Sequence, residues 1–115
     1  MSLTSAPVLP PLPGLSGAAR ELGSRGFCLR WDAGEHLGDP DLRLVVEDGR
    51  PGTTVELLVP GPDDCWWDAV RVKPASRLVW RGPRLDCPVA PLVWFVEDLL
   101  TRDVEQLPGR YRLLG

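Results

Sequence analysis

From Phe27 onward, apolar residues recur at every second position in short runs, and clusters of glycine, proline and acidic residues interrupt each run before it can lengthen. A chain patterned with this period has one apolar and one polar side as an extended strand, and no continuous apolar stripe as a helix. Phe27, Leu29 and Trp31 alternate with Cys28 and Arg30 in this way. A polar loop is expected over Ala33 to Asp41. The runs Leu42 to Asp48 and Thr53 to Pro60 then flank Gly49-Arg-Pro-Gly52, which has the turn chemistry of a hairpin. Gly61 to Asp64 forms another turn, and strands over Trp66 to Lys73 and Arg77 to Arg81 are joined through Pro74-Ala-Ser76. Successive antiparallel pairing is therefore the expected plan.

The period changes near both ends. Leu15, Ala19 and Leu22 lie at helical spacing in Ser16 to Gly23, with Ser16 as a cap and Gly23 and Gly26 as terminators. From about Pro91 to Arg102, Leu92, Val93, Phe95, Val96, Leu99 and Leu100 fill one broad apolar arc at 100° per residue, with proline tolerated in the first turn. Pro108-Gly109 then turns the chain toward a short final strand over Arg110 to Leu114. The expected fold class is α+β: an antiparallel meander of about five strands, one principal C-terminal helix packed on one face, and a short N-terminal helix. Residues 15–115 read as one domain, which suits a chain of 115 residues.

Residues 1–14 read as an extended Pro-rich arm, because four prolines between Ser5 and Gly14 remove backbone donors and favour polyproline II. Its Pro7-x-x-Pro10 and Pro10-x-x-Pro13 spacings match the minimal polyproline recognition pattern, which is common by chance. Met1-Ser2-Leu3 are consistent with a cloning remnant and carry no functional weight. The arm lacks the basic head and uninterrupted apolar run of a signal peptide, and no apolar stretch is long enough to span a membrane. Three widely spaced cysteines, Cys28, Cys65 and Cys87, argue against a disulfide framework and for a reducing, cytoplasmic compartment. The absence of Ile and Asn, with one lysine against twelve arginines, follows GC-rich codons and points to a bacterial source.

Catalytic chemistry has no positive signature. His36 is the single histidine, and neither Cys28 nor Cys65 sits in a nucleophile motif that would recruit it as a base. Zinc would need Cys28, Cys65, Cys87 and His36 to converge without any close ligand pair. Asp32, Glu35, Asp39, Asp41, Asp63 and Asp64 read as solvated loop acids, because they do not follow the spacing of a calcium loop. No phosphate-binding glycine motif is present. No cofactor, no metal and no enzymatic activity are expected.

Charge and aromatic placement are more informative. The net charge of −3 conceals a basic block, Arg71, Lys73, Arg77, Arg81 and Arg84, lying between two acidic stretches. A three-residue loop in the second hairpin would pair Lys73 with Arg77, Arg71 with Val79 and Val70 with Trp80. One face would then be apolar, with Val70, Val72, Leu78 and Trp80, while Trp67, Arg71, Lys73, Arg77 and Arg81 would gather on the other. Such a face suits an anionic partner: an acidic segment of the same chain, of a second copy, or a nucleic acid stacked on the tryptophan. Trp94 lies opposite the apolar arc of its helix, among Glu97, Asp98 and Thr101, and needs a cover, either the Pro-rich arm or a protein interface. The candidate binding residues are thus Trp67, Arg71, Lys73, Arg77, Arg81, Arg84 and Trp94. The expected function is a non-enzymatic bacterial protein-interaction or assembly module that forms homodimers. A small nucleic-acid-binding domain using the cationic hairpin face 67–84 is the alternative, and a cysteine-dependent enzyme a distant third.

Overall fold

A computed structural model describes residues 13–36, 39–48, 52–61 and 63–115. Helix α1 (Pro13–Ser24) leads into strand β1 (Cys28–His36), followed by β2 (Asp39–Glu47), β3 (Thr54–Leu58), β4 (Trp66–Lys73) and β5 (Ser76–Arg84). Helix α2 (Val89–Thr101), a single 3-10 turn (Val104–Gln106) and strand β6 (Arg112–Leu113) complete the order. All six strands form one antiparallel sheet in chain order, so each strand pairs with its sequence neighbour. The expected α+β meander with its two helices is the observed fold. Residues 1–12 of the expected arm lie outside the described residues, and α1 takes in Pro13 and Gly14.

Period-two patterning decides which side of the sheet faces the helices. Leu44 and Val46 of β2, Val55 and Leu57 of β3, Trp67 and Ala69 of β4 and Trp80 of β5 all join the core cluster. The six arc residues of α2, Leu92, Val93, Phe95, Val96, Leu99 and Leu100, pack onto them, as the helical spacing predicts. Helix α1 adds Leu15, Ala18 and Leu22. It lies close against α2: a Cβ at Gly17 would sit 2.7 Å from Val89 Cγ2. An ion pair from Arg25 to Glu97, at 2.9 and 3.0 Å, ties the end of α1 to the outer side of α2. That bridge raises the Arg25 pKa from its ordinary value, mainly through the Glu97 hydrogen bond.

Two expectations are corrected. Within the segment 33–41, expected to be a polar loop, residues 33–36 belong to β1 and 39–41 to β2: Gly34 pairs with Asp41, Glu35 with Pro40 and His36 with Asp39. Asp32, Glu35, Asp39 and Asp41 are therefore strand residues. Cross-strand pairing of the whole nine-residue ladder outweighs the low strand propensity of its glycine and acids. The second correction concerns the β4–β5 register. Lys73 pairs with Ser76, Val72 with Arg77, Arg71 with Leu78 and Ala69 with Trp80, so only Pro74 and Ala75 form the turn. A turn shorter by one residue leaves Leu78 and Trp80 on the core side and Arg77 and Arg81 on the outer one, as expected, but turns β4 over: Trp67, Ala69 and Arg71 face the helices, and Val70 and Val72, expected in the core, lie on the outer side.

The outer side of the sheet is polar but not bare. Val45 and Val70 are buried there beneath charged side chains. Glu56 accepts hydrogen bonds from Arg43 and, at 3.3 Å, from Arg77. Arg81 donates through Nε and Nη2 to the two Asp68 oxygens at 3.0 and 3.2 Å, a forked pair that raises the arginine pKa. The C-terminal segment is fixed by Tyr111, whose hydroxyl donates to Asp98 Oδ2 at 2.8 Å while its ring packs 5.0 Å from that of Phe95.

Candidate interaction site

The new register breaks up the expected cationic face. Trp67 is a core residue, and Arg71 points to the helix side of the sheet, where it is only 4% exposed. Arg77 and Arg81 lie on the outer side and are paired with Glu56 and Asp68. Lys73 is half-buried near the hairpin turn, and Arg84 is exposed at the opposite end of the hairpin. The seven candidate residues therefore do not form one surface. Arg71 and Lys73 instead line an open cavity near the hairpin turn, and Arg84 stands beside a groove at the other end of the hairpin.

The groove forms where the hairpin opens. Trp66 pairs with Arg84 across a register shift between Trp66 and Asp68, and this irregularity turns the Trp66 ring outward. Trp66, Gly82, Pro83, Pro91, Arg110 and Tyr111 enclose an apolar hollow of about 200 Å3. A second lobe of about 160 Å3 shares Trp66, Gly82 and Arg110 and adds Arg81 and Arg112. Arg84 lies over the Trp66 ring at 5.2 Å and Arg110 over the Tyr111 ring at 5.3 Å. Both contacts are cation–π in character and hold the arginines at the groove rim. Among the described residues neither Arg110 nor Arg112 makes an ion pair, and Arg84 reaches only Asp86 at 3.6 Å. Trp66 is 37% exposed. One helical turn beyond Pro91, Trp94 is 47% exposed, as its position off the apolar arc implies.

Sequence reading missed Trp66, Pro83, Pro91, Arg110, Arg112 and Tyr111 as members of this surface. Its signal lay in the neighbouring pair Trp66-Trp67: two large rings in succession in a strand cannot both enter one core, so one of them is left at the surface.

The remaining chemistry-bearing residues stay apart. Cys28 and Cys65 are exposed free thiols, and Cys87 is half-buried. Burial first, and the neighbouring Asp86 second, raise the Cys87 pKa, which makes that thiol a weaker nucleophile. The His36 backbone lies at the far end of the β1–β2 ladder. Among the described residues no three His, Cys, Asp or Glu side chains gather in a metal-binding group. No described helix is long and apolar enough to cross a membrane. Comparison with protein-family models, curated proteins and solved structures gives no match.

Proposed function

We propose that this chain is a protein-contact module that self-associates through the Trp66 groove, with a second copy of the chain as the occupant. The carrying observation is an exposed apolar hollow with Arg110 and Arg112 beside it, neither in an ion pair among the described residues, and Trp94 one turn away. Exposed tryptophan and arginine around a hollow are the residues that anchor protein interfaces.

Charge complementarity favours a second copy. The 3-10 turn presents Asp103, Val104 and Glu105, all exposed, so a 45% exposed apolar tip stands between two carboxylates that make no ion pair. That knob matches the groove in outline: apolar at the centre and charged at the edges, with the opposite sign. Knob and groove cannot meet within one molecule. The knob adjoins Lys73 and Ser76 at the hairpin turn, and the groove lies at Trp66 and Arg84, about 23 Å along the strand at 3.3 Å per residue. Both are carried by the C-terminal segment 103–112, so two copies side by side and antiparallel would place each knob against the other's groove. Such an arrangement is a closed two-fold dimer.

Sedimentation at micromolar concentrations tests the proposal. A dimer weakened by salt is expected, with R110E/R112E and D103R/E105R each yielding monomers and their combination restoring dimers. A chain that stays monomeric at several hundred micromolar overturns the proposal. Single-stranded oligonucleotide binding with a steep salt dependence, in the absence of any dimer, would assign the groove to nucleic acid instead.

A further inference from the structure

The second feature left by the shifted register lies away from the groove, on the strand side of the 3-10 turn that carries Asp103, Val104 and Glu105. In β4 the inward positions alternate Trp67, Ala69, Arg71, and the row at Arg71 continues through Val55 on one side and Leu78 on the other. Arg71 thus occupies a place where the pattern calls for an apolar side chain. Its guanidinium Nε and Nη1 are buried and have no hydrogen-bond partner, and among the described residues Arg71 forms no ion pair. A buried cation without a partner is strongly unfavourable, so a group of opposite charge is expected beside it.

The structure provides room for one. Arg71 lines a cavity of about 360 Å3 between the β4–β5 turn and the 3-10 turn, together with Lys73, Ser76, Leu78, Asp103, Val104 and Glu105. This volume is in the range of small-molecule sites. The lining is divided by chemistry. Two cations stand on the strand side, two carboxylates on the opposite wall, and Leu78 and Val104 provide apolar surface. Asp103 and Glu105 form no ion pair with Arg71 or Lys73, although all four line the same cavity; the Asp103 side chain also accepts from the Gln106 backbone in the cap of the 3-10 turn.

We infer that this cavity binds a small zwitterion, an α-amino acid with an apolar side chain. The carboxylate goes to Arg71 and Lys73, the ammonium to Asp103 and Glu105, and the side chain to Leu78 and Val104. A planar carboxylate suits the guanidinium, and the ammonium satisfies the acidic wall. A phosphate dianion would meet that wall with like charge and nothing to offset it.

Side-chain NMR of the full chain, following the Arg71 Nε–Hε signal, provides the test. L-Leucine is expected to shift it saturably. 4-Methylpentanoate, which lacks the ammonium, should bind more weakly, and leucinamide, which lacks the carboxylate, should leave the signal in place. Arg71→Gln is expected to weaken leucine binding at least about tenfold, read on backbone amides at the cavity. Lys73→Gln, which changes a half-buried side chain, should weaken it in the same direction if Arg71→Gln fails to fold. Leucinamide acting as well as leucine refutes the inference, as does an Arg71 signal that answers none of the three compounds. An Arg71 already paired with Glu105 in solution, and released by Glu105→Gln, refutes it as well. Repeating the titration in R110E/R112E separates this site from self-association.

Discussion

Gly82 in β5 offers a quantitative test of how α2 seats on the sheet. A Cβ built on Gly82 would lie 2.5, 2.6 and 2.7 Å from three ring carbons of Phe95, which is fully buried at the centre of α2. Ordinary carbon–carbon contact is about 3.5 Å, so the helix and strand would have to separate by about 1 Å. The ring cannot swing aside, because Tyr111 packs against it at 5.0 Å and the core cluster surrounds it. Gly82 has no positive φ, so the cost is steric and not conformational. Overpacking of this kind typically costs about 1–3 kcal/mol, and a rigid ring wedged between two backbones places Gly82→Ala at the upper end, about 3 kcal/mol. Two other glycines calibrate the scale. At Gly17 the near atom is Val89 Cγ2 at 2.7 Å, a stiff side chain at the first residue of α2 but not a ring wedged between two backbones, so Gly17→Ala should cost less than Gly82→Ala. Gly23, inside α1, has only Leu29 Cδ1 at 3.7 Å, so Gly23→Ala should stabilise by about 0.5–1 kcal/mol through helix propensity. Urea unfolding of the three variants, with unchanged m-values, reads the order directly. Combining Gly82→Ala with Phe95→Leu should cost at least about 1 kcal/mol less than the sum of the two single changes. A Gly82→Ala protein as stable as the parent would refute this account of the α2 seat.

Three further outcomes are expected. Burial, and then the hydrogen bond to Asp98, push the Tyr111 pKa up to about 12, against about 10 in the unfolded chain. The folded state therefore favours the neutral phenol, and about 2–3 kcal/mol of stability is present below pH 10 and lost as pH rises through 12. Tyr111→Phe should remove that portion of the decline in urea midpoint between pH 10 and 12, and identical profiles for both proteins would contradict the assignment. At pH 8 iodoacetamide should modify Cys28 and Cys65 before Cys87, whose thiol is both half-buried and raised in pKa; peptide mass mapping over time checks the order. Trp94→Ala should leave stability within about 0.5 kcal/mol, because the ring is half exposed, while weakening self-association. Unchanged sedimentation of that variant would remove Trp94 from the interface.

The fold was legible wherever one periodicity operated over a whole element. The apolar arc of α2 named all six of its buried residues, and the runs Leu42 to Asp48 and Thr53 to Pro60 marked the paired strands β2 and β3. Legibility failed where a single residue of turn length decided the outcome. Pro74-Ala75-Ser76 reads equally well as a loop of two or three residues, yet the choice determines whether Val70 and Val72 or Trp67 and Arg71 share the inner face with Trp80. The alternation across Trp66 to Lys73 put Trp67 and Arg71 on one side, as found, but that side was expected to be the outer, cationic one and is the inner one. Trp94 could be placed on a polar helix face from spacing alone. The groove beside it could not, because it needs Arg110 and Tyr111 to return from a segment without periodicity.

The contact between α1 and α2 bears on how the chain reaches this structure. Strands β1 to β5 each pair with the strand next to them in sequence, so this part of the meander can assemble hairpin by hairpin as it is synthesised, while β6 joins β5 only after α2. Its inner face, however, is covered jointly by helices from the two ends of the chain, and the Arg25–Glu97 bridge spans 72 residues. On a ribosome, a sheet formed early would expose Leu44, Val55, Leu57 and Trp67 until Val89–Thr101 has emerged. The most aggregation-prone interval is then set by the arrival of α2, and slowing translation just before Val89 should lengthen it.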